Sequence, residues 1–144
     1  MWTADSTDPW STLTDWSPLP TSAPGTAAAN RDIVNFLEST TGNKTVYTVT
    51  INPTDTFDIA TLNIGNATAT HHQPALSISG RLLTDSLSNT ASVANGVTLT
   101  INAGGLFDIR SSITNASGSA ETVTIAGTGT GGHLEFGSAT RSGI

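Results

Sequence analysis

Thr48-Val49-Thr50-Ile51-Asn52 is followed, five positions after Asn52, by Phe57-Asp58-Ile59. Fifty residues later, Thr98-Leu99-Thr100-Ile101-Asn102 is followed by Phe107-Asp108-Ile109 at the same offset. Between the two copies lies Leu76-Ser77-Ile78-Ser79-Gly80, and after them Thr122-Val123-Thr124-Ile125-Ala126. Their isoleucines, Ile51, Ile78, Ile101 and Ile125, are spaced by 27, 23 and 24 residues. A period in that range marks a repeat architecture, in which each unit buries its apolar face only against its neighbours. The expectation is an all-β chain, a right-handed parallel β-helix (β-solenoid) of about four coils. Successive coils stack about 4.8 Å apart, so the four isoleucines share one interior ladder in a rod on the order of 20 Å long. The threonines flanking them face outward, and Gly65, Gly80, Gly104 and Gly105 turn the corners. A Greek-key sandwich also uses many short strands and is the alternative fold.

Around this repeat the chain reads as short β-rich runs over residues 45–52, 57–65, 75–83, 97–101, 106–113, 121–125 and 133–136. Most alternate polar with aliphatic residues and are bounded by Gly, Asn, Asp, Ser or Pro. The composition is different before residue 43. Residues 1–30 hold all three tryptophans (Trp2, Trp10, Trp16) and four of the six prolines. Proline at that density disfavours helix and central strand. The organisation expected is therefore an irregular arm and cap over residues 1–43 and a solenoid over 44–144. Residues 31–37 fit either a short helix capped by Asn30 or a strand, with strand preferred; 39–43 read as a loop. Trp2, Trp10 and Trp16 have two readings: packing on the chain's own first layer, or contact with a partner subunit.

Composition excludes several classes. The 144 residues include 42 Ser plus Thr but only five Lys plus Arg, and the net charge is −6. Arg31, Lys44, Arg81, Arg110 and Arg141 are too few and too scattered to neutralise a phosphate backbone, so no nucleic acid is expected. Cysteine is absent, which removes disulfides and thiolate metal sites. No apolar stretch approaches the roughly 20 residues of a membrane-spanning helix, and the first residues carry neither a basic nor an apolar signal region.

Trp2-Thr3, Trp10-Ser11, Asp15-Trp16-Ser17 and Leu19-Pro20, followed by Asp32-Ile33-Val34-Asn35-Phe36, resemble the opening of one group of solenoids. That opening runs Trp-Thr, Trp-Ser, Asn-Trp-Ser, Pro, then an Asp-x-Val-x-Phe strand. It belongs to passenger regions of bacterial autotransporter-type adhesins and to bacteriophage fibre and decoration proteins. Leu62-Asn63-Ile64-Gly65 and Leu99-Thr100-Ile101-Asn102-Ala103-Gly104-Gly105 are similar to later steps of the same group. The resemblance implies a solenoid fold. Passengers of that group are usually far longer, secreted and followed by a membrane anchor, none of which is read in these residues.

Chemistry is sparse. Enzymes on parallel β-helices use clustered carboxylates on an outer face, and Asp58, Asp108 and Arg110 are the candidates, with Asp55 and Asp85 near them in phase. Asp58 and Asp108 sit two coils apart, about 10 Å, but a repeated outward aspartate beside a repeated isoleucine reads as a solvated corner. His71-His72 reads as a surface loop, and His133 is remote from it. Gly104-Gly105-Leu106-Phe107-Asp108 resembles a calcium-binding nonapeptide only once and without spaced glycines. Asn43-Lys44-Thr45, Asn66-Ala67-Thr68 and Asn115-Ala116-Ser117 match the glycosylation sequon, as chance provides in such a composition. No catalytic residue, metal or cofactor is expected.

The function expected is therefore a non-enzymatic structural protein on the outside of an assembly, a phage virion decoration or fibre subunit at the virion surface. A fragment of a secreted bacterial adhesin at the cell surface is the alternative, and a polysaccharide-active enzyme the lesser one. The partners expected are capsid or fibre subunits, further solenoid coils or copies of the chain itself. A surface glycan is a further candidate partner, and membrane insertion is not expected.

Overall fold

A computed structural model describes residues 7–26, 32–37, 47–65, 74–89, 97–115, 121–125 and 131–136. Its strands are β1 (Asp8–Pro9), β2 (Ile33–Leu37), β3 (Tyr47–Ile51), β4 (Thr56–Gly65), β5 (Pro74–Ile78), β6 (Arg81–Asn89), β7 (Val97–Ile101), β8 (Leu106–Asn115), β9 (Glu121–Ile125) and β10 (His133–Phe136). A single 3-10 turn spans Leu13–Asp15, and there is no α-helix among the described residues. The odd strands form one sheet in the order β1-β3-β5-β7-β9, and the even strands a second in the order β10-β8-β6-β4-β2. Every neighbouring pair is parallel. The chain is thus all-β with parallel sheets. It crosses from one sheet to the other at each step, and each strand pairs with the strand two places further along.

Alternation places the core. In β3, Tyr47, Val49 and Ile51 are buried while Thr48 and Thr50 are only half-covered. Ile51 is in register with Ile78, Ile78 with Ile101, and Ile101 with Ile125; the first three are buried. In the second sheet Phe57, Leu82 and Phe107 stand in register at intervals of 25 residues, and Leu134 follows them. These columns meet in one hydrophobic cluster. Full burial of each such side chain contributes about 1.5–3 kcal/mol.

The division near residue 43 is not a division of the core. β1 pairs with β3 and β2 with β4, so the first segment supplies one more layer of the same two sheets. Within the 31–37 run, Ile33–Leu37 is strand, with Val34 and Phe36 buried. Trp10 and Trp16 are enclosed by the chain itself, at 0% and 4% exposure. Trp10 lies 5.2 Å from the rings of both Phe36 and Phe57 and 5.3 Å from that of Trp16. Its Nε1 donates to the Pro24 carbonyl at 3.0 Å, and Trp16 Nε1 donates to the Trp10 carbonyl at 2.9 Å. Partner contact by Trp10 and Trp16 is therefore corrected: both indoles are spent closing the first layer. Trp2, His71, His72 and the loop over 39–43 lie outside the described residues.

Residues 75–83 form two strands rather than one run, because Ser79-Gly80 turns the chain between sheets. A Cβ at Gly80 would overlap the carbonyl oxygens of Asn52 and Asp55 in the layer beneath. Gly105 repeats the arrangement over the Ile78 carbonyl, so only glycine lets the layers close. Gly104 differs. It holds φ +78 with open space around it, as the third residue of the Asn102–Gly105 turn demands. Gly105→Ala is expected to destabilise by about 3 kcal/mol through backbone overlap. Gly104→Asn should cost less than about 1 kcal/mol, since asparagine tolerates positive φ. Urea unfolding of the two variants checks this, and equal effects would contradict it.

Candidate functional site

The second sheet carries the charged chemistry. Phe57 and Ile59 face the core, so Asp58 between them faces away from it. Asp58, Leu83, Asp108 and Glu135 then share one register row across β4, β6, β8 and β10. Leu83 and Leu106 are buried yet lie outside the core cluster. A second covered patch thus exists on the outer face of this sheet.

Arg110 organises that patch. The β6–β8 register slips by one residue between Thr84 and Ser86, so Arg110 and Ser111 together face Asp85. Such a bulge bends the strand and re-aims its side chains. The Arg110 guanidinium reaches Asp58 Oδ1 through Nη2 at 2.9 Å and Asp85 Oδ1 through Nη1 at 3.4 Å; Nε lies 3.7 Å from Asp108 Oδ2. One side chain thereby links three layers. The side chains of Asp58, Asp108 and Arg110 are 9%, 2% and 11% exposed. The solvated-corner reading of Asp58 and Asp108 is corrected: the bulged arginine lies over both.

Burial pushes the Asp108 carboxyl above its ordinary value of 3.8, and Glu135 adds to the rise while Arg110 and Arg81 oppose it. A carboxyl raised in this way binds its proton more tightly folded than unfolded. Its contribution to stability is complete below the unfolded value and is lost as pH rises through the raised one. Wild type is therefore expected to gain stability over Asp108→Asn as pH falls from 7 toward 4, read from urea unfolding at each pH. The opposite slope would mean that Arg110 outweighs burial.

Other candidates do not join the cluster. Asp55 accepts from the Asn52 N–H through Oδ2 at 3.2 Å and belongs to a corner turn. His133 is exposed on β10. A separate concavity of about 180 Å³ is lined by Trp16, Pro18, Pro24, Asp32, Ile33 and Val34 among others. Its carboxylate is already engaged, since Asp32 Oδ2 accepts from Gly25 N–H at 2.8 Å. Among the described residues no three His, Asp or Glu side chains are grouped to hold a metal ion, and no helix is long and apolar enough to cross a membrane.

The cluster's chemistry is that of a clasp. A general acid–base pair needs a gap between its carboxyls for substrate or water, and here the guanidinium occupies that gap. The sequence brought Asp58, Asp108 and Arg110 forward together. It missed the cover, whose only trace is the extra residue in 106–115 relative to 81–89. Compared with family models, with curated proteins and with solved structures, the chain matches none.

Proposed function

We propose that the chain is a right-handed parallel β-solenoid of about four coils over residues 44–144, laid on the layer made by the preceding segment. It serves as a non-enzymatic structural protein on the outside of an assembly, a phage virion decoration or fibre subunit. The winding is supported by the strict alternation of strands between two parallel sheets, because crossovers between parallel strands are right-handed in nearly all proteins. The observation that carries the structural role is the Arg110 clasp: the strongest acidic candidate on the chain is closed by an ion pair that ties layers together. The net charge of −6 suits a surface turned away from packaged nucleic acid.

Antibodies raised against the chain test the role by immunogold electron microscopy of intact particles and of cells. Gold on the outside of virions is the expected result. Gold confined to the bacterial surface would replace this reading with the adhesin. Release of oligosaccharide by the purified chain, abolished in a folded Asp58→Asn or Asp108→Asn variant, would replace it with an enzyme.

A further inference from the structure

The outer face of the first sheet differs from that of the second in carrying no charge at its outward positions. Those positions are Thr48, Thr50 and Asn52 at β3, Ala75, Ser77 and Ser79 at β5, and Thr98, Thr100 and Asn102 at β7. Their inward neighbours Val49, Ile51, Leu76, Ile78, Leu99 and Ile101 are all buried. The register stacks Thr48, Ala75, Thr98 and Thr122 in one row and Thr50, Ser77, Thr100 and Thr124 in the next. Thr7 extends the first row, its hydroxyl accepting from the Thr48 N–H at 3.2 Å. At the edge, the Asn102 amide donates to Ser77 Oγ and Ser79 Oγ at 2.9 and 3.0 Å.

The threonines of β3 and β7 present hydroxyls and methyls on stiff β-branched side chains, and the smaller Ala75 and Ser77 of β5 stand between them. Rows repeat at about 4.8 Å across the strands and about 6.7 Å along them. Water oxygens joined tetrahedrally by hydrogen bonds of about 2.75 Å repeat at about 4.5 Å across a layer and about 7.3 Å along its axis. The mismatch is about 0.3 Å per strand, which accumulates to about 1 Å over five strands, and about 0.6 Å between the two rows along them. We propose that this face binds ice, its threonine hydroxyls taking lattice positions and its methyls holding waters in the gaps between them.

Two other occupants fit less well. A face of five strands and five residues covers roughly 400 Å², about half of what each partner contributes to a standard protein interface, so a second copy is underprovided. A glycan is ordinarily gripped by aromatic rings and by carboxylate or amide groups. The two stacked rows carry only Thr, Ser and Ala between β3 and β7.

The test is uptake of fluorescently labelled chain into a slowly growing ice hemisphere, alongside inhibition of ice recrystallisation. Thr98→Tyr and Thr100→Tyr are each compared with Ser88→Tyr on the outer face of the second sheet, and circular dichroism checks that every variant keeps its β-structure. Wild type and Ser88→Tyr should enter the ice and slow grain growth, and both threonine variants should lose these properties. Exclusion of folded wild type from ice, or uptake of the threonine variants equal to wild type, would overturn the proposal. So would exclusion from ice combined with threonine-dependent retention on crystalline cellulose or chitin. None of these outcomes bears on whether the protein is displayed on a virion.

Discussion

Arg110→Met is expected to destabilise the folded chain by about 3–5 kcal/mol, the usual consequence of removing one partner from a buried ion pair. Methionine keeps most of the aliphatic stem, so the loss reports charge rather than packing. Asp58 and Asp108 would then remain covered without the guanidinium that spans them, and Asp85, the most exposed of the three at 36%, would adjust most easily. Arg110→Lys should recover only part of the loss, because an ammonium cannot fork across two strands as the guanidinium does. Adding Asp58→Asn to Arg110→Met should restore part of the loss, since Asp58 makes the closest of the three contacts, at 2.9 Å. Urea unfolding of the four proteins settles the matter. A loss below about 1 kcal/mol in Arg110→Met would place the cluster among surface ion pairs.

Trp10→Ala is the second large effect, with an expected cost of about 3–5 kcal/mol. The ring is fully buried and packs on Trp16, Phe36 and Phe57, so the truncation opens a cavity between the first layer and the second. It also strands the Pro24 carbonyl that the indole satisfies. Trp10→Phe should recover part of the packing and none of that hydrogen bond. Quenching of the remaining tryptophan fluorescence by acrylamide gives an independent readout, because Trp16 loses its neighbour. A Trp10→Ala protein with wild-type stability would mean that the first segment is an appendage rather than a layer.

How much the sequence revealed depended on whether a residue's neighbours were local. Val97–Ile101, Glu121–Ile125 and His133–Phe136 were legible to the residue, because aliphatic alternation and flanking turn residues fix their ends. The break at Ser79-Gly80 was hidden, since a serine and a glycine continue the alternation of 75–83 without a gap. Phe57-Asp58-Ile59 correctly turns its aspartate away from the core. Its burial depends on an arginine 52 positions away, aimed by a one-residue bulge that no local pattern expresses. Trp10 and Trp16 were legible as residues needing a partner. That the partner is Phe57 of the next layer follows only once β1 and β2 are placed in the sheets.

The parallel pairing also gives the molecule unequal mechanical directions. Hydrogen bonds between layers point along the stacking axis, so tension along that axis peels strands apart one ladder at a time and meets a low, repeated resistance. Tension along the strands loads whole ladders in shear, where many bonds must break together. The Arg110 bridge crosses two of the layer boundaries and acts as a rivet against the first kind of load. The middle of the stack is therefore the part that yields last when it is stretched end to end.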